Sequence, residues 1–518
     1  MRRVVLPTLV VALVVGAAGL PLLPEVVAVA APAPSLPVVA YDFNADGFPD
    51  LATGAPHLTL EQTPDAGGVL VYPSSSDGPV DRPQLLSRAT EGPLGAPVSG
   101  DAFGAALASA DFDHDGYADL AVGQPGRDLP QGRDGGAVTV FYGSAAGLDG
   151  SRLIDLPIPK GHRTGARFGS ALAAADFDGD GYSDLAIGAP GDDVQRNPGH
   201  TWAASGTVRV FSGGKHGLSK SRYDKRHGKR GTGGSGFDVG FGAVLAAGDI
   251  SVDGIADLVV GAPGHTYVGT HGYGGWIDVC RGGRGDVGTC RRPSMLHAKA
   301  YAGNWAGMTS LAIGRLWRHT PDIETPQIVI GSPQYADDQP GIVWIVTLGR
   351  STRSVTDLTS FRQGSPAQIP GAGQPGSVHH RFGQSVAVGT FRNTSLPLLA
   401  IGAPGTDGAQ GAVTTILLES DDQGQYFYTT YTQQTPGVPG GAANGHEFGA
   451  SVAFADHDAG GDPELDVGAP GTADDTGSLV RLSLTASFHL TGGQLLRPGP
   501  PLLASAAGAR FGETTGGS

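Results

Sequence analysis

One string recurs along this chain and dictates how it can fold. It reads FGSALAAADFDGDGYSDLAIGAP over residues 168–190: a Phe-Gly start, an acidic loop closed by Asp-Gly, and an apolar run ending Gly-Ala-Pro. The string returns at residues 103–125 and 241–263 and, more altered, at 382–404 and 448–470. A partial copy covers residues 42–56, and a worn one between Trp305 and Pro333 ends IVIGSP. The closing prolines fall at 56, 125, 190, 263, 333, 404 and 470, so there are seven units. Self-similarity at a fixed period marks a repeat array, in which each unit needs its neighbours to cover its apolar faces.

The pattern inside a unit predicts strands. In the third, Phe168 to Ala175 alternates as a first strand, Asp176 to Asp184 turns the chain, and Leu185 to Gly188 is a second strand. Gly206 to Phe211 alternates as a third, with Val208 and Val210 on one face, and a weaker fourth precedes the next Phe-Gly. A chain with 85 Gly and 38 Pro suits many short strands joined by turns. The expected fold is all-β: a seven-bladed β-propeller of four-stranded antiparallel blades. The first unit lacks its own Phe-Gly, while a spare Arg510-Phe511-Gly512 follows the seventh unit. Pairing of the C-terminal segment into the first blade would close the ring and remove exposed sheet edges.

Arg2 and Arg3, the apolar run Val4 to Leu23 and the small-residue triplet Ala28-Val29-Ala30 predict an export signal over 1–30. A linker over 31–37 and the propeller over 38–518 follow. Pro7, Pro21 and Pro24 interrupt the run, which favours cleavage over a retained anchor, so the mature chain is expected to be extracellular with no membrane span. Its formal charge of −15 makes a general nucleic-acid partner a poor expectation. The two cysteines, Cys280 and Cys290, are read as a disulfide closing a short hairpin.

The acidic loops carry the chemistry. Asp111, Asp113 and Asp115 alternate, then Gly116 and a final Asp119; Asp176, Asp178, Asp180, Gly181 and Asp184 repeat this. The first unit uses Asp42, Asn44, Asp46 and Asp50, and the fourth uses Asp249, Ser251, Asp253 and Asp257. Backbone carbonyls of Phe48, Tyr117, Tyr182 and Ile255 would complete the sets. Calcium takes six to eight hard oxygens in a flexible cage, whereas magnesium demands a strict octahedron, so about four calcium sites are expected. The alternative is a metal-free Asx-type turn, in which clustered carboxylates would repel one another. In the seventh unit Gly460 stands where a third ligand belongs, so Asp456, Asp458 and Glu464 are expected to bind weakly or not at all. The sixth has Thr390, Arg392 and Thr394 there, and the fifth has no acidic loop.

These units resemble FG-GAP repeats, as in the N-terminal propeller of integrin α chains and the propeller of glycosylphosphatidylinositol-specific phospholipase D. The resemblance covers about residues 38–518. It implies that the acidic loops are calcium hairpins and that a ligand binds the opposite face. There His200, Trp202, His265, Tyr267, His271 and Tyr273 crowd the loops after the third and fourth Gly-Ala-Pro, where a protein or carbohydrate could stack; packing of these loops on each other is the bland alternative. The basic segment 215–230 could dock a polyanion or be a solvated loop. Arg284-Gly285-Asp286, inside the predicted disulfide loop, resembles the tripeptide recognised by many integrins and equally arises by chance in a Gly-rich chain. No Gly-x-Ser-x-Gly elbow, His-Glu-x-x-His or phosphate loop is present. The sequence therefore reads as a calcium-stabilised binding or adhesion module with no catalytic residues. The alternative is a secreted hydrolase with its site at the propeller mouth, for which the phospholipase relative's catalytic domain is not expected here.

Overall fold

The computed structural model describes residues 39–515, apart from 90–93, 159–163, 228–239, 265–273, 296–306, 317–324, 334–339, 364–377, 392–395, 421–425, 499–507 and some shorter gaps. From Val38 on, the chain forms one compact unit. It is a seven-bladed β-propeller of antiparallel blades. Blade 2 shows the plan: Leu107–Ala110 is innermost, followed outward by Asp119–Gln124, Ala137–Phe141 and Leu153–Pro157. Innermost strands of successive blades touch and line the axis. The second and third strands are buried along their whole length, because a neighbouring blade covers each face. That explains why the second strands read as apolar runs; the third strand of blade 3, read as alternating, buries its polar face too, Thr207 and Arg209 included.

Seven hydrophobic clusters lie one at each seam between blades. Phe168 and Ile187 of blade 3, for example, pack with Val138 and Val140 of blade 2. The repeated motifs are the grammar of these seams. Every Phe of the six Phe-Gly pairs is fully buried. The glycine after it takes a positive φ, 94° at Gly169, which turns its carbonyl toward the preceding blade. That carbonyl abuts the glycine of Gly-Ala-Pro. A Cβ on Gly188 would meet the Gly242 oxygen at 2.0 Å, and one on Gly123 would meet the Gly169 oxygen at 2.1 Å. The worn fifth unit keeps the plan with other residues: Met308 is buried where Phe belongs, and the Thr309 amide bonds the Gly331 carbonyl at 3.0 Å. Gly188→Ala is therefore expected to cost about 3 kcal/mol or more, since backbone must move. Gly492→Ala, with no atom within 4 Å of its added carbon, should cost well under about 1 kcal/mol in the same urea melts.

Some details differ from expectation. The first strand of blade 3 is Leu172–Ala175, shorter than read, because the turn at Arg167 and Gly169 delays it. Blade 5 gains a fifth strand, Ser294–Met295, parallel to its outermost Ser354–Arg362. A two-stranded hairpin, Val194–Asn197 with His200–Trp202, grows from the loop after Gly-Ala-Pro in blade 3.

The ring closes as the orphan motifs require. Thr514–Thr515 pairs with Leu51–Ala55 and becomes the innermost strand of blade 1. Among the described residues two pairs make this ladder, and side-chain contacts add to it. Phe511 packs with Tyr72, Leu479 and Leu496. Beside it, Glu447 accepts a bond from Arg381 at 2.6 Å and another from Arg510, which also reaches Glu513 at 3.1 Å. Each of Arg381, Glu447 and Arg510 directly precedes a Phe-Gly, at φ between 53° and 57°. Burial pushes the Glu447 carboxyl up, but bonds from Arg510 and Arg381 outweigh it and hold the group below its ordinary 4.5. A depressed folded pKa stabilises fully above the unfolded value and is lost as pH falls through the folded one. Glu447→Gln is thus expected to cost about 2 kcal/mol at pH 7, shrinking toward zero below about pH 4, in melts read against pH.

Candidate metal centres

The acidic loops join the first and second strands of blades 2 to 4 and, in blade 1, lead into the second strand Leu51–Ala55, whose inner neighbour comes from the C-terminal segment; they lie at the opposite end of the propeller from the Phe-Gly turns. Each loop winds its backbone round its own carboxylates. Asp42 accepts the amides of Asp46 and Gly47 at 3.1 and 2.9 Å. Asp111 accepts those of Asp115 and Gly116, both at 3.1 Å, and Asp249 those of Asp253 and Gly254 at 3.0 and 2.8 Å. In the third loop Asp176 takes the amides of Gly179, Asp180 and Gly181. The next acids, Asp46, Asp115, Asp180 and Asp253, accept from Phe48, Tyr117, Tyr182 and Ile255.

The closing aspartate of each loop is a bracket. Asp50, Asp119, Asp184 and Asp257 are buried. Each accepts one amide near the loop start and one from the turn after the third strand: Phe43 and Ser74, Phe112 and Gly143, Phe177 and Gly213, Ser251 and Gly282. Sequence reading made these groups ligands only; the structure adds the bracket. Burial pushes their carboxyls up against the amides, to about 8 for Asp119 and about 7 for Asp50 and Asp184, and neighbouring carboxylates add to the rise. A cation in the loop would supply the missing counter-charge.

Three sets of carboxylates bring one oxygen each within 4.8 Å of one another: Asp111, Asp113 and Asp115; Asp176, Asp178 and Asp184; Asp456, Asp458 and Glu464. Among the described residues the first and fourth loops gather no such trio; Asn44 and Ser251 stand at their second positions. The residues fit a hard divalent ion. Their donors are all oxygen, and Asp113 Oδ1 is buried with no hydrogen-bond partner.

The seventh set, expected to bind weakly or not at all, still gathers three oxygens, yet Arg481 lies 2.8 Å from Glu464 with both side chains buried. There too His457 takes the place of the loop phenylalanine. Its Nδ1 lies 2.7 Å from the Pro49 carbonyl and its Nε2 2.7 Å from Asp466, tying blade 7 to the first acidic loop. In blade 6, Arg392 and Thr394 lie outside the described residues. His380 and His446, in loops before Phe-Gly, each pair with a glutamine, Gln363 and Gln433, at 2.9 Å.

Cys280 and Cys290 are disulfide-bonded. Their turn docks on the third acidic loop, with the Gly283 amide on the Phe177 carbonyl at 3.1 Å and the Gly285 amide on the Asp178 carbonyl at 2.7 Å. Arg284 and Gly285 are exposed there, and Asp286 lies outside the described residues. On the opposite face, His265, Tyr267, His271 and Tyr273 also lie outside them, as do the side chains of His200 and Trp202 and much of segment 215–230.

The FG-GAP repeat model matches residues 33–72, 103–141, 168–211 and 241–277, which contain the four intact acidic loops. Integrin alpha-PS5 of Drosophila melanogaster is 38% identical over 160 residues, 30% of this chain and 14% of that protein. Phosphatidylinositol-glycan-specific phospholipase D of Bos taurus is 36% identical over 167 residues, 31% of this chain and 18% of that protein. Human integrin alpha-IIb is 39% identical over 165 residues, 30% and 14%. The shared stretch thus spans less than a fifth of each relative's length. Fold and motif define an FG-GAP β-propeller. Over its first four units the chain is similar to integrin α chains.

Proposed function

We propose that this chain is a secreted, calcium-stabilised binding module that presents the loops opposite its acidic hairpins to a protein or carbohydrate ligand. The observation that carries this reading is the division of labour between the two ends. At one end, carboxylates are packed into amide-lined loops that fit calcium at blades 1 to 4. At the other, the loops after Gly-Ala-Pro project from seams that are rigidly packed. Binding residues on loops held by such a scaffold are a common design. Export follows from the signal-like N-terminus and agrees with the disulfide.

The test is solid-phase binding of the calcium-loaded protein to a glycan array and to a panel of immobilised extracellular-matrix proteins. Saturable retention that Trp202→Ala or Tyr273→Ala abolishes, and that His114→Ala on the acidic-loop end leaves unchanged, is the expected result. The reverse pattern would overturn the choice of face. Turnover of chromogenic ester or phosphodiester substrates by the same preparation would replace the binding module with the hydrolase reading.

A further inference from the structure

Guanidinium groups from three unrelated backbone positions reach the acidic loops. Arg152, just before the outermost strand of blade 2, bonds Asp113 Oδ2 and lies 3.7 Å from Asp115. Its planar head rests 4.1 Å over the Tyr142 ring, which fixes its aim. Arg281, directly after the third strand of blade 4, gives Asp253 two bonds, at 3.2 and 2.8 Å. Arg481, within the third strand of blade 7, holds Glu464 as described above. In the first loop, by contrast, no guanidinium is ion-paired with Asp42, Asp46 or Asp50 among the described residues, and neighbouring carboxylates act on Asp42 and Asp50.

We infer that these arginines are built-in competitors of the metal: Arg152 and Arg281 must yield before a divalent cation can take the second and fourth loops, and Arg481 permanently replaces the cation in the seventh. The inference rests on the calcium reading of the loops. A guanidinium supplies one positive charge and directional bonds to a carboxylate that a metal would otherwise claim. Arg152 and Arg281 are half-exposed, with side-chain accessibilities of 46% and 47%, so water can take them back at modest cost. Arg481 is only 6% exposed, and displacing it would strand a buried charge. The second loop is poised between these states, because Asp113 spends one oxygen on Arg152 and keeps the other buried without a partner. The first loop should therefore fill with calcium before the second and fourth.

Calorimetric titration of the metal-free full chain with calcium chloride tests this. Wild type should show a tight and a weaker class of sites. Arg152→Gln and Arg281→Gln should each move one site from the weak to the tight class, a gain of about tenfold for the loss of one charge-assisted bond. Arg127→Gln, which breaks an arginine–aspartate pair away from the loops, should behave like wild type. Asp456→Asn should leave the number of calcium ions bound unchanged. Equal site classes in wild type and both glutamine variants, with calcium still bound, would overturn this inference alone. Absence of calcium binding in every protein would instead overturn the calcium reading on which it rests.

Discussion

Returning calcium to the metal-free protein is expected to raise its melting temperature by roughly 10 °C or more. A ligand that binds only the folded state stabilises by about 2.7 kcal/mol at a hundred times its dissociation constant, and several loops add. Spread over a chain this long, each kcal/mol moves the melt by only about 1–2 °C, so a large shift requires several occupied sites. The driving force lies in the carboxyls: burial pushes Asp50, Asp119 and Asp184 up to between about 7 and 8, and a bound cation would offset that cost. Magnesium should give a smaller shift, because it demands an octahedron that these loops do not impose. Scanning calorimetry in chelator, calcium and magnesium measures this. An unchanged melt in a sample proven metal-free would remove calcium from the account and leave the brackets and Asx-type turns as sufficient.

Phe511→Ala carries the next largest effect, about 4 kcal/mol. Phe511 is fully buried between blades 7 and 1, its ring 6.1 Å from that of Tyr72. Its backbone also bridges Gly477, so the residue positions the two-pair ladder that closes the ring. Truncation leaves a cavity at the seam where the closing segment docks. Phe427→Ala, on the outer strand of blade 6 and 53% exposed, should change stability by less than about 0.5 kcal/mol. Equal losses for the two variants in urea titrations would mean that the closing segment contributes nothing special.

The contrast between what was and was not legible in the sequence follows from range. Blade number and ring closure could be read because the motif is local and repeats, and because a missing Phe-Gly at one end matched a spare at the other. The spacing of the acidic loops, likewise, is a property of nine neighbouring residues. The bracket role of Asp119 was not legible, since its partner amide at Gly143 lies beyond a whole strand. Nor were Arg152, Arg281 and Arg481, which meet their carboxylates only after the sheet has folded. His457 could have been noticed, since it replaces an aromatic that recurs at Phe43, Phe112 and Phe177. Its partners, Pro49 and Asp466, could not.

The contact between the Gly-Ala-Pro glycine of one blade and the Phe-Gly carbonyl of the next has a genealogical consequence. Each unit carries one half of the joint at its start and the complementary half at its end. Duplicating or deleting one whole unit in the gene therefore delivers matched halves to both new neighbours, and no interface has to be reinvented. Units so joined are free to diverge elsewhere; the fifth has altered even its own half of the joint, setting Met308 against Gly261 while keeping the internal amide bond from Thr309 to Gly331. The motif survives as the coupling between units, whatever chemistry each unit's loops acquire or lose.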